Sequence, residues 1–381
     1  MQGLLKALVA IIVALGRLIG RLLPLDNPSG LFFFFPFYHT GGAEKVHAEI
    51  VACCADQRPW VFFTKRSRDR RYWPQFSAAG RCFDIGWLLK YSYPFSAGIL
   101  AGLIERHPTP RLFGCNTLYY YLLLPHLSQR VRATDLLHAL GGGAEQFALP
   151  VLERLTERVV IASAVRQQLL AWYRNHGVAP LLEERISVVP NRVELPKQPP
   201  VKSLDGPLRV LFVGRGGVEK RVHLLGEAAR RCHAEGLDFQ FTLVGELEGC
   251  LNPADRALVE LTGPLSDEAS LTALYRQAHL ILIVSSREGF PLTVMEGMAQ
   301  GCVPVCTAVG GIPDHVAHLE NGWLLPAEDE EAVVTALCGA LERLSRECDL
   351  LARLSVAAYR TAGERFGGRS FCERYRRVIV G

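Results

Sequence analysis

The feature that most constrains the fold is an alternation that occurs twice. Between residues 30 and 190, nearly continuous apolar runs (LFFFFPFY, WVFFT, CFDIGW, RLFGCN, VRATDLLHA, RVVIAS) are separated by stretches with helical spacing. Short apolar runs without polar alternation suit strands covered on both faces, and helices between them supply the crossovers of a parallel sheet. The pattern restarts at LRVLFVG and continues through FQFTLVG, HLILIVSS and CVPVCTA. Between the two series lies PNRVELPKQPPVKSLDGP, whose prolines suit an extended linker. The expectation is two doubly wound α/β domains, 30–190 and 208–363, joined by a linker at 191–207. Pro36 should end the first strand. Residues 364–381 read as a basic helix that packs back on the first domain. With 381 residues, 49% of them hydrophobic, the chain can bury two cores.

A net charge of +4 spread over this length makes no case for a nucleic-acid partner. The eleven cysteines show neither metal-ligand spacing nor a framework of pairs, which points to a reduced, cytoplasmic compartment. Residues 1–24 look at first like a signal sequence but lack a small-residue cleavage site, and the uncharged run Ala7 to Gly16 is too short to span a bilayer. At about 100° per residue, Lys6, Arg17 and Arg21 fall within an arc of roughly 60°, opposite Leu4, Leu8, Ile11, Ile12, Leu15, Leu18, Ile19 and Leu22. Such a cationic amphipathic helix suits the interface of an anionic membrane; the alternative is docking on the protein's own core.

The segment richest in chemistry is SSREGFPLTVMEGMAQG, residues 285–301. An apolar strand ends at Ser285 and Ser286, and a helix starts near Pro291 and stops at Gly301. Glu288 and Glu296 bracket the turn formed by Gly289, Phe290 and Pro291. The amides of Leu292, Thr293 and Val294 should converge where the helix dipole favours an anion, and a diphosphate fits that place. Glu288 could then accept hydrogen bonds from sugar hydroxyls, and Glu296 could reach a ribose diol. Upstream, VGRGGVEK ends a strand at Gly214 and sets Arg215 and Lys220 around a Gly-Gly loop, a pairing suited to neutralising a departing nucleoside diphosphate.

These residues resemble family 4 of the retaining glycosyltransferases (GT4) over nearly the whole chain after residue 30. The family's E-x7-E motif matches Glu288 and Glu296, its G-R-x4-K element matches Gly214, Arg215 and Lys220, and its following turn is similar to AVGGIPDHV, Ala308 to Val316. Its N-terminal Gly-Gly-x-Glu turn is similar to Gly41, Gly42, Ala43 and Glu44. The resemblance implies the GT-B fold, two Rossmann-like domains facing a central cleft. It further implies that Arg215 and Lys220 hold the donor diphosphate, Glu296 the ribose and Glu288 the transferred sugar, with Gly42 approaching the diphosphate and His138 near the reacting centre. Two positions depart from the family: Arg192 stands in PNRVE where Gly is usual, and Arg221 stands where Gly usually follows the phosphate lysine.

No two aspartates stand two apart, so the Asp-x-Asp metal clamp is absent; neither a metal nor a cofactor is expected, and the co-substrate should be a UDP- or GDP-sugar. The cation-rich KRSRDRR (65–71) and aromatic GWLLKYSYPF (86–95) join the N-terminal helix in pointing to a first domain beside an anionic bilayer. The expected enzyme is thus peripheral at the inner face of the cytoplasmic membrane, transferring sugar to a glycan or lipid-linked acceptor of the cell envelope, lipopolysaccharide or capsule. A nucleotide-sugar 2-epimerase of the same fold and a catalytically degenerate membrane-bound assembly subunit are the competing readings.

Overall fold

The computed structural model describes all residues except 1, 25–27, 88–91, 266, 328 and 368, together with the side chains of 2–6, 369 and 370. Residues 88–91 of the aromatic run at 86–95 and the side chain of Lys6 therefore lie outside the described residues. The chain forms two units. The first comprises Met1–Ile161, Arg166–Val189 and Ser370–Gly381, and the second Ala162–Val165 and Pro190–Arg369.

The first unit is built on β1 (Leu31–Phe35), β2 (Trp60–Phe63), β3 (Arg81–Asp84), β4 (Arg111–Cys115), β5 (Arg132–Leu137), β6 (Glu157–Val160) and β7 (Ile186–Val188). They form one sheet in the order β3-β2-β1-β4-β5-β6-β7, with every pair parallel. Each residue of β1 is buried, as a central strand with helices on both faces requires. In the second unit β8 (Leu208–Val213), β9 (Phe239–Val244), β10 (Val259–Gly263), β11 (Leu280–Ile283), β12 (Val303–Thr307) and β13 (Trp323–Leu325) run in the order β10-β9-β8-β11-β12-β13, again all parallel. In both sheets the first strand is central and the chain winds outward first to one side, then to the other. The reversal between β1 and β4, and between β8 and β11, opens a crevice at the carboxyl ends of those strands, where ligands of this architecture bind.

Two expectations need correction. The helix Arg369–Ile379, whose later residues belong to the first unit, carries Cys372 in a disulfide with Cys53, although no pairing was expected. The partners are 319 residues apart, so local spacing could not reveal them. Arg376 reinforces the junction, donating to Cys53 O at 2.8 Å and to Asp56 Oδ2 at 2.9 Å. The N-terminal helix (Gln2–Leu22) does dock on its own unit, but with Leu8, Leu15, Leu18 and Leu22 outward. Its glycines meet those of the Phe95–Ile104 helix, because only glycine lets the two backbones come so close. Among the described residues, no helix is long and apolar enough to cross a membrane.

Candidate active site

The second unit brings its motifs together at the β8/β11 reversal. Gly214 follows β8, and its N–H donates to Val244 O at 3.0 Å. The loop then turns through a short 3-10 helix at Val218–Lys220. At the end of β11, Ser286 N–H donates to Glu219 O at 2.8 Å, stitching the two loops together. Across this stitch Lys220 Nζ lies 2.5 Å from Glu288 Oε1, which also accepts from Ser285 Oγ at 2.7 Å. Both side chains are largely shielded, with Lys220 20% and Glu288 10% exposed, so the pair sits in less water than a surface ion pair. Arg215 is exposed and has no ion-pair partner among the described residues.

Arg221 explains its own departure from the family pattern. Its φ is +47°, the left-handed region where glycine is usual. The buried side chain donates to Val284 O at 2.7 Å, Ser285 O at 3.1 Å and Ala327 O at 3.1 Å. Thr307 Oγ1 donates to the same Ser285 carbonyl at 2.6 Å. Arginine here trades local backbone strain for a brace on the strand end that presents Ser285 and Glu288. The sequence flagged the position as unusual without disclosing this job.

The turn after Glu288 is held from behind. Gly311 N–H donates to Gly289 O at 2.5 Å, and a Cβ on Gly310 would lie 1.8 Å from Glu288 O. The AVGGIPDHV turn is therefore a buttress, and its glycines let two backbones touch. Phe290 is 4% exposed and packs on His315 and Phe366, so only its backbone could meet a ligand.

The helix Leu292–Ala299 begins with Pro291 as its N-cap. Val294 N–H is spent on Pro291 O at 3.1 Å, correcting the expectation that three amides point outward; those of Leu292 and Thr293 remain at the helix start. Glu296 lies inside this helix, where its Oε2 accepts from Tyr275 OH at 3.0 Å. Tyr275 was not singled out by the sequence. Burial, reinforced by the Glu296 charge, keeps its phenol well above the ordinary pKa, so it stays a donor.

In the first unit Gly42 opens the helix Gly42–Ala52, with Gly41 as N-cap. A Cβ on Gly41 would lie 2.1 Å from Glu44 Oε2, so the glutamate folds back over the glycine and fixes the Gly-Gly-x-Glu turn. His138 follows β5, and its Nε2 is 3.1 Å from Nε2 of His47, on the same helix as Gly42. Burial lowers the pKa of His138 to about 4, and burial with the neighbouring imidazole lowers that of His47, so both rings are neutral at pH 7. Cys115, at the end of β4, completes a group whose ligand-type atoms all lie within 4.8 Å of one another. His47 and Cys115 escaped notice because a helical His and a strand-end Cys are ordinary core residues on their own.

The basic segment 65–71 reaches the same turn. Asp69 Oδ1 accepts from Thr40 N–H at 3.0 Å and from Arg71 N–H at 2.9 Å, while Arg70 lies over the Trp73 ring at 4.9 Å.

Two parallel-sheet units with their crevices at β1/β4 and β8/β11 define the GT-B class. Solved structures bear out that fold. The lipopolysaccharide outer core galactosyltransferase WaaB in its apo form matches with TM-score 0.68 at 18% identity, covering 91% of this chain and 98% of that one. Alr3699/HepE of Anabaena in complex with UDP and glucose matches with TM-score 0.71 at 15% identity, covering 92% and 98%.

Residues 207–343 match the family model described as Glycosyl transferases group 1. Among curated relatives, the putative colanic acid biosynthesis glycosyltransferase WcaL of Escherichia coli (strain K12) is 30% identical over 156 residues, 36% of this chain and 37% of the relative. The amylovoran biosynthesis glycosyltransferase AmsK of Erwinia amylovora is 32% identical over 148 residues, 35% and 36%. The chain spans little more than a third of the length of these relatives.

Proposed function

We propose that the protein is a retaining glycosyltransferase that moves a sugar from a nucleoside diphosphate to a glycan or lipid-linked acceptor in the synthesis of an envelope polysaccharide. The observation that carries this reading is the Lys220–Glu288 pair at the β8/β11 crevice, beside the start of the Leu292–Ala299 helix. The names of WcaL, AmsK and WaaB support the polysaccharide setting, and the UDP and glucose in the HepE complex support a nucleotide-sugar donor.

In this mechanism the donor diphosphate takes Lys220 from Glu288, with exposed Arg215 and the amides of Leu292 and Thr293 completing its cradle. Glu288, released, accepts from hydroxyls of the transferred sugar, and Glu296 accepts from the ribose diol while Tyr275 holds it in position. The anomeric bond then breaks toward an oxocarbenium-like state as its electron pair passes to the diphosphate. The acceptor hydroxyl attacks on the face the diphosphate leaves and gives its proton to a departing phosphate oxygen, so the configuration is retained. The charge that develops is matched by side-chain cations and amides, and no divalent metal is assigned a step. The basic segment tied to Thr40 by Asp69 favours an anionic acceptor at the cytoplasmic face of a membrane.

The test is incubation of purified protein with UDP-, GDP- and ADP-sugars and candidate acceptors, followed by product analysis. A glycosylated acceptor with the donor's anomeric configuration is the expected result. An inverted product would overturn the retaining mechanism, and a free epimerised donor would overturn transfer.

A further inference from the structure

The N-terminal helix is packed inside out for a helix of a soluble core. Its inner side presents Gly16 and Gly20, and the Phe95–Ile104 helix answers with Gly98 and Gly102. A Cβ on these four would lie 2.2, 2.0, 2.2 and 2.3 Å, respectively, from a backbone oxygen of the opposite helix. On the outer side Leu8, Ile11, Leu15, Leu18, Ile19 and Leu22 are 42–76% exposed. With Leu23 they make up seven of the sixteen exposed large hydrophobic residues among those described, so the apolar surface is concentrated here.

At about 100° per residue the exposed half of the helix spans about 180°, from Ala10 to Ile19. Arg21, at one rim, is its only charged residue among those described. Arg17, next to that rim, reaches Glu105 at 2.6 Å and the His126 carbonyl, and at the helix's carboxyl end Arg106 donates to the Leu23 carbonyl. Beside them a groove of about 930 Å³ runs between the helix and residues 125–128, walled by Val9, Val13 and Leu18, with Arg17 and Arg21 toward the helix's carboxyl end.

We propose that this face seats the protein on an anionic bilayer. The helix lies in the plane of one leaflet with its apolar half among the acyl chains and Arg21 and Arg106 at the level of the phosphates. The glycine seam makes the anchor part of the first unit and not a flexible tether. The proposal deepens the membrane-side acceptor reading above, and the helix geometry carries it. Among the described residues no helix is long and apolar enough to cross a membrane, and the inner side of this one is taken by the Phe95–Ile104 helix, so it lies flat. A second copy of the chain is the rival occupant, because Leu8, Ile11, Leu15, Leu18 and Leu22 follow a three-four spacing. A coiled-coil seam, however, is narrow and flanked by charges. Here apolar residues fill nearly the whole exposed half, a width that a bilayer covers and one partner helix does not.

The test is flotation of the full chain with phosphatidylcholine vesicles, with and without phosphatidylglycerol, alongside sedimentation without lipid. Wild-type protein should float, more strongly with phosphatidylglycerol and less in high salt. Ile11→Asp with Leu18→Asp should weaken flotation at least about tenfold, with thermal shifts by nucleotide sugars unchanged. Arg21→Ser should lose only the preference for phosphatidylglycerol. The proposal is overturned if the double variant floats like wild type, if wild type ignores vesicles, or if wild type is a lipid-free dimer that the double variant dissolves. A wild type that floats but ignores every nucleotide sugar would sink the transferase reading and leave the anchor standing.

Discussion

Lys220 Nζ and Glu288 Oε1 meet at 2.5 Å across 68 residues of chain and join the two loops of the second unit's candidate site. The cation expected to take the diphosphate is held by the carboxylate expected to take the sugar. On the proposed function each group is a placeholder for the other's substrate partner. Glu288→Gln therefore frees Lys220. It should tighten binding of the free nucleoside diphosphate several-fold while lowering turnover about 100-fold or more. Calorimetry with the diphosphate and steady-state rates check the two halves; equal losses in both would contradict the placeholder role.

Arg221 carries the second prediction. Arg221→Ala keeps a left-handed backbone and removes three hydrogen bonds to strand-end carbonyls, so it should cost about 2–4 kcal/mol. Arg221→Gly relieves the backbone and should cost about 1 kcal/mol less. Denaturant unfolding measures both, and a neutral Arg221→Ala would show that the brace is idle.

What could be read from the sequence divides along physical lines. The strands were legible because strands buried on both faces are written as apolar runs, and LFFFF and LILI need no partner to be recognised. Glu288, Glu296 and Lys220 stood out because their spacing around loops is a chemical pattern. The orientation of the N-terminal helix did not. Its periodicity marks two faces but not which one packs, and Gly16 and Gly20 decide that only once Gly98 and Gly102 lie opposite. The Cys53–Cys372 bond, the Arg221 brace and the His47–His138 contact are likewise long-range facts with no local signature.

The glycine seam itself can be tested. Gly98→Leu places side-chain atoms where the Val13 carbonyl stands, so the N-terminal helix should detach. Limited trypsin digestion should then cut at Arg17 and Arg21 much faster than in wild type, while the second unit's response to nucleotide is unchanged. Unaltered digestion would contradict the packing.

His138 sets a pH dependence. Its folded pKa of about 4 lies below the ordinary 6.5, so between those values the unfolded chain binds the proton that the fold excludes. Stability should be full above pH 6.5 and fall as the pH drops toward 4, by about 3 kcal/mol at most from this residue. His138→Gln should flatten that part of a melting-temperature profile. A profile unchanged by the substitution would show that the ring is more solvated than its burial implies.

Thermal shift of the purified chain against a panel of UDP-, GDP- and ADP-sugars, with Lys220→Ala run in parallel, tests whether Lys220 holds a donor diphosphate. At least one nucleotide sugar should raise the melting temperature of the wild type, and Lys220→Ala should abolish the rise. A wild type that responds to none of them, or a Lys220→Ala variant that responds as fully as wild type, would contradict that role.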